Sequence, residues 1–138
     1  MAMTYSAADI PPEKELVALY NSVGWTAYSK DPARLAAAVR ASLAVVVARD
    51  GGEVVGLARV VGDGLTIAYV QDILVAPTHR RRGIGRELFT RVLEPFADVR
   101  QKVLMTDGEP AQRAFYKAMG FIEVRDLSYP IRVFVRMG

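Results

Sequence analysis

Arg80, Arg81 and Arg82 stand together, followed at once by Gly83-Ile84-Gly85-Arg86 and an apolar helical pattern. Guanidinium forks suit phosphate oxygens. Glycines let a backbone approach a bulky anion. A helix start adds unpaired N–H groups and the positive end of the helix dipole. A strand, this turn and a helix in succession therefore form a ready phosphate site. Two familiar phosphate loops do not fit. No G-x-x-x-x-G-K-[ST] is present, and the two glycines follow an antiparallel meander rather than opening a βαβ unit. A plain helix start with a solvated basic turn is the other reading of these residues.

Other chemistries are excluded by composition. The chain has no cysteine, so a thiol nucleophile, a disulfide framework and a thiolate metal site are absent. His79 is the single histidine, which rules out a multi-histidine metal centre and reads as a surface residue before the basic turn. No metal is implied. Lack of disulfides fits a cytoplasmic location. The net charge of +3, with 14 arginines among 18 basic residues, is too small to indicate nucleic acid without further basic runs or interleaved aromatics. The start MAMTYSAADIPPEKE lacks a basic and apolar leader, and no run reaches the ~18–20 apolar residues of a membrane span.

The elements that must position the turn follow from periodicity. With 138 residues, 51% hydrophobic and 24% charged, one domain with a packed core is expected. Residues 3–7 suit a short edge strand. Pro11-Pro12 leads into a helix carrying Leu16, Val17, Leu19 and Tyr20, broken at Gly24. Asp31-Pro32 caps and starts a second helix. Leu43–Ala48, Glu53–Val61 and Ile67–Val75 read as a three-strand meander turning at Asp50-Gly51-Gly52 and Gly62-Asp63-Gly64. Ile84, Leu88, Val92 and Leu93 give a helix over 83–97. A strand at Val103–Thr106, a helix over 110–119 closed by Gly120, and final strands at Phe121–Val124 and Ile131–Val135 complete the order. This is an α/β (α+β) order, with a sheet covered by helices on both faces.

Arg80, Gly83 and Gly85 match the pattern [QR]-x-x-G-x-[GA] after the strand Asp72-Ile73-Leu74-Val75-Ala76-Pro77, and Phe115-Tyr116-Lys117-Ala118-Met119-Gly120-Phe121 matches F-Y-x-x-x-G-F. With the element order, these blocks resemble the GNAT superfamily of acetyl-CoA-dependent N-acetyltransferases over about residues 43–124. The resemblance implies a mixed, mostly antiparallel twisted sheet with a splayed acetyl-CoA cleft. It implies that backbone groups of Ile73, Leu74 and Val75 bind the pantetheine arm, that the amides of Arg81, Arg82, Gly83, Ile84, Gly85 and Arg86 hold the pyrophosphate, and that Arg80 to Arg82 add charge. Tyr116 matches the acid that protonates the leaving thiolate. Glu109 stands where many members have a cofactor-binding asparagine, and is expected to favour the helix dipole instead. Asp72 is a candidate base, with a structural carboxylate as its other reading. Glu53 and Asp107 are weaker candidates, and a water chain would also serve.

In the family the amine acceptor lies near the first two helices, here Tyr20 to Tyr28. Trp25 and Tyr28 could hold an apolar or cationic small-molecule amine, or pack the connection onto the sheet. Gly56 to Asp63 and Gln71 to Val75 resemble the arylalkylamine (serotonin-type) branch, mostly at scaffold positions. Without cysteine, direct transfer in a ternary complex is expected. The alternatives are a non-catalytic acyl-CoA sensor on the same fold and a nucleic-acid binder using Arg80–Arg82. The strand Ile131–Val135 could pair across a homodimer or end the sheet.

Overall fold

A computed structural model describes residues 2–138. They divide into two compact units, residues up to Met105 and residues 106–138, described in turn. The first contains β1 (Met3–Ser6), α1 (Glu13–Ser22), α2 (Thr26–Ser29), α3 (Pro32–Arg40), β2 (Ala44–Asp50), β3 (Glu53–Val61), β4 (Ile67–Val75), α4 (Ile84–Leu93) and β5 (Gln101–Leu104). The strands form one sheet in the order β1-β2-β3-β4-β5. All neighbours are antiparallel except β4 and β5, which are parallel. Mixed α/β architecture with helices on both sheet faces is therefore as expected.

Local chemistry explains the joints. Asp31 accepts a hydrogen bond from the Arg34 amide at 3.2 Å, and Pro32 occupies the first turn of α3. Gly51 and Gly52 both have positive φ, 59° and 97°, which lets the β2–β3 hairpin close in two residues. Pro95 stops α4 earlier than the apolar spacing suggests, and residues 94–96 continue as a 3-10 turn. The segment read as a connection at Trp25 to Tyr28 contains the one-turn helix α2.

Leu16, Leu19 and Tyr20 of α1 and Leu35, Ala36 and Val39 of α3 pack with Val45, Val47, Leu57 and Leu74. Leu57 therefore faces α1 and α3, and Gly56 faces the other way. There it meets α4. A Cβ on Gly56 would lie 2.9 Å from Leu88 Cδ1 and 3.4 Å from Ile84 Cγ2. Gly56 pairs with Val75. Close approach at this glycine thus sets the N-terminus of α4 over the C-terminal end of β4.

In the second unit α5 spans Pro110–Ala118. It ends in a Schellman motif: Phe121 donates to the Tyr116 carbonyl at 3.0 Å, Gly120 donates to that of Lys117 at 3.0 Å, and Gly120 has φ 92°. The final strands do not form. Arg113 draws Glu123 and Asp126 back toward α5 at 2.6 and 2.7 Å, and residues 124–126 make a 3-10 turn. Ile131–Val135 is largely apolar, but a strand needs a ladder, and none forms there among the described residues. No helix among the described residues is long and apolar enough to cross a membrane.

Candidate active site

The site begins where the sheet opens. β5 pairs with β4 only from Ile67 to Val70. From Gln71 to Val75 β4 is bonded to β3 alone, so its other edge offers free backbone donors and acceptors. The register changes at the same place. Arg59 faces Asp72 and Val60 faces Val70, which leaves Gln71 as an extra residue in β4. Such a bulge bends a strand and re-aims its side chains. Ile73, Leu74 and Val75 lie on the opened stretch, so the structure places them on an edge that an extended ligand could extend.

The phosphate turn follows directly. A 3-10 turn at Pro77–His79 leads to Arg80 in extended conformation, Arg81 at φ 64° and Gly83 at φ 77°. A non-glycine residue at positive φ is uncommon and points to a backbone shaped for a purpose. Gly83 caps α4 without any side-chain hydrogen bond. Among the described residues, the amides of Arg81, Arg82, Gly83, Ile84, Gly85 and Arg86 have no protein acceptor. A Cβ added at Gly83 would meet nothing within 4 Å, so the space beside this glycine is open. Arg80, Arg81, Arg82 and Arg86 are exposed and make no ion pair among the described residues. Unspent amides, a helix N-terminus and free guanidinium groups are a donor set for a pyrophosphate.

Asp72 is buried beside this edge. Its Oδ2 accepts from Arg59 Nε at 2.5 Å and from the Tyr20 hydroxyl at 2.9 Å. Burial pushes the Tyr20 phenol up strongly, and the Asp72 charge adds to it. For Arg59 burial pulls downward, but the Asp72 charge and hydrogen bond outweigh it and raise the guanidinium. Sequence reading allowed an arginine partner for Asp72 without naming Arg59, and it missed Tyr20. The Arg59–Asp72 pairing is set by strand register, and Tyr20 reaches it only because α1 lies on that face.

Trp25 and Tyr28 lie on the same face. With Tyr20 they form a three-ring cluster, with centroids 5.4 to 6.2 Å apart, packed against the core. The Tyr28 hydroxyl accepts from Gln71 Nε2 at 3.0 Å, which ties the cluster to the bulge. Tyr69, on the same strand, has its phenol raised by burial, then by Tyr28 and Asp72. Of the two roles considered for the aromatics, packing the connection is what these contacts show, and Tyr28 also touches the start of the open stretch of β4.

In the second unit Tyr116 lies on α5, half-buried, with its ring 5.1 Å from Phe115. Burial, then the charge of Asp107, push its phenol up to about 12. Glu109 stands at the N-cap of α5 but makes no side-chain cap, and its amide is taken by Asp107 at 3.0 Å. Glu53 and Asp107 are exposed. His79 is not a free surface residue. Its ring bonds Asp50 and Thr78, and its side chain is 13% exposed.

Comparison with known proteins identifies the family and the fold. The family described as "Acetyltransferase (GNAT) domain" matches residues 41–123. A GNAT family acetyltransferase from Streptococcus pneumoniae is similar in structure, with a TM-score of 0.84, 31% identity, and coverage of 99% of this chain and 100% of its own. A Gibberella zeae protein provisionally described as an acetyltransferase is 26% identical over 127 residues, 90% of this chain and 69% of its own. An aminoglycoside N-acetyltransferase solved in complex with CoA shares the fold, with a TM-score of 0.74, 18% identity, and coverage of 99% and 95%.

Proposed function

The chain belongs to the GNAT family and is an acetyl-CoA-dependent acetyltransferase; from that premise we propose that it acetylates the primary amine of a small molecule by direct attack in a ternary complex. The observation that carries the cosubstrate site is the run of unspent amides from Arg81 to Arg86, set by α4 at the end of the opened strand. In this reading residues 1–138 act as one GNAT domain. A chain without cysteine suits the cytoplasm.

Bound acetyl-CoA supplies a thioester whose carbonyl carbon is the electrophile. The edge of Ile73, Leu74 and Val75 holds the pantetheine arm as an added strand and directs an N–H at the carbonyl oxygen. The amides of Arg81 to Arg86 hold the pyrophosphate, and Arg80 to Arg82 add charge. Trp25 and Tyr28 border the acceptor and suit an amine with an apolar or cationic body. The proton of the ammonium leaves to water. Asp72 is assigned to positioning, because its Oδ2 already serves Arg59 and Tyr20.

Tyr116 is proposed as the acid, on its place in the F-Y-x-x-x-G-F block. A phenol raised to about 12 keeps its proton throughout the neutral range. It is also a weaker acid than an ordinary phenol. Its contribution is a hydrogen bond to the sulfur as negative charge develops, with the proton following late.

A homodimer is proposed through the C-terminal segment. Tyr129, Ile131, Val133, Phe134, Val135 and Met137 are all exposed, Phe134 by 87%. A standard stable interface buries about 800 Å² per partner, and exposed apolar residues of this kind would supply its centre. A second copy is the fitting occupant because the exposed apolar run Ile131–Val135 has no strand partner among the described residues, and two such runs can pair with each other.

The test is calorimetric titration with acetyl-CoA and CoA, followed by thiol release on arylalkylamines, polyamines, aminoglycosides and peptides. Binding with release on one small-amine class is expected. Release on peptides alone would overturn the acceptor class.

A further inference from the structure

We propose that Asp50 and His79 are positioning residues for the cosubstrate phosphates, a latch that fixes the entry of the phosphate turn to the β2–β3 hairpin. His79 Nε2 lies 2.8 Å from Asp50 Oδ2, and His79 Nδ1 lies 2.8 Å from Thr78 Oγ1. A carboxylate can only accept. A neutral ring therefore carries its proton on Nε2 toward Asp50 and accepts the Thr78 hydroxyl at Nδ1. Both ring nitrogens are satisfied in one tautomer and one ring orientation.

The placement gives the contact a purpose. Asp50 ends β2, and Gly51 and Gly52 turn the chain tightly into β3. His79 ends the 3-10 turn, one residue before Arg80 and two before the positive φ of Arg81. The segment is also tied at its start, where the Ala76 amide donates to the Val55 carbonyl at 2.8 Å and the His79 amide to Ala76 at 2.9 Å. The other end is fixed by buried Ile84 in α4. Between Ala76 and Ile84 the Asp50–His79 contact is the one side-chain bond to a distant element among the described residues. Asp50 Oδ1 is buried and has no partner. Leaving a carboxylate oxygen unsatisfied costs stability, so the sheet end carries a compromise that hairpin formation does not require. Holding a loop in its bound shape before binding lowers the ordering cost of the ligand.

This inference rests on the reading that residues 81–86 hold the phosphates, and the experiment separates the two. CoA affinity is measured by calorimetry for wild type, His79→Ala, Asp50→Ala, the double variant and Gly83→Glu. Acetyl transfer is measured with acetyl-CoA and with acetyl-pantetheine, which lacks the phosphates. Each latch variant is expected to bind CoA about tenfold more weakly, with the double variant no worse than either single one. Each should use acetyl-pantetheine within about twofold of wild type, because the pantetheine edge of β4 is untouched. Equal loss with both donors would overturn the latch by marking a general structural role. Unchanged CoA affinity in the latch variants, with Gly83→Glu impaired, would also overturn it. Unchanged affinity in Gly83→Glu would instead overturn the phosphate reading beneath it.

Discussion

Asp72 shows how one side chain's role depends on what surrounds it. As an aspartate on a strand beside the cosubstrate edge, it suits a base. Its side chain is only 2% exposed, its partner Arg59 only 6%, and the carboxylate also takes the Tyr20 hydroxyl. Removing one member of a buried pair leaves the other charge uncompensated. Asp72→Ala is therefore expected to cost about 3–5 kcal/mol in chemical denaturation; a cost below about 1 kcal/mol would return Asp72 to the pool of catalytic candidates. Tyr116 belongs at the same scale. Tyr116→Phe is expected to lower kcat by about a hundredfold while CoA affinity stays within about twofold. Because burial and Asp107 raise the phenol, its protonated form persists to higher pH. Wild-type activity should rise as the amine deprotonates and show no falling limb from Tyr116 below roughly pH 11. A falling limb near pH 9 that vanishes in Tyr116→Phe would contradict this environment.

At the scale of elements, the helix α4 is a support and, in the proposed function, the element whose start binds the phosphates. Its buried face, Ile84, Leu88, Phe89 and Val92, locks it to the sheet, and Gly56 sets how closely it approaches. Gly56→Val should cost about 1–3 kcal/mol through overpacking. It should also weaken CoA binding, since the clash with Leu88 displaces the helix that begins at Ile84. Calorimetry and denaturation on the same variant check both halves. Gly83→Glu makes the complementary prediction: a side chain at positive φ and a negative charge enter the open space beside this glycine. CoA binding should be abolished with α4 intact by circular dichroism. The three arginines, the two glycines and the strand before them were legible in the sequence because a helix start and its glycines are local features. Arg81 at positive φ was not, since an arginine carries no local signal for that conformation.

For the whole molecule, the C-terminal segment carries the prediction. Light scattering should give twice the protomer mass at micromolar concentration. Replacing Val133 and Phe134 together by aspartate should halve it, since two charges cannot be buried in an apolar interface. A wild-type monomer would remove the dimer from the reading of this chain while leaving the acetyltransferase site as described.

The amino-acid sequence by itself determined the order of elements as far as α5 apart from the one-turn α2, the hairpin at Gly51-Gly52, the cap at Asp31, the basic turn before α4 and the family. These depend on periodicity, turn chemistry and contiguous motifs, all of which act within a few residues. Even the G-F at the end of the Tyr116 block has a local cause, the Schellman cap of α5. Tertiary structure alone decided the rest. Strand register brought Arg59 to Asp72, the Gln71 bulge joined the aromatic cluster to the opened edge, and hairpin geometry brought Asp50 to His79. It also left the apolar residues of Ile131–Val135 without a ladder among the described residues, whereas β4 buries every second side chain. Alternation states which faces a strand would have. Whether the strand exists depends on a partner for its backbone groups, and that partner is a property of the assembled chain.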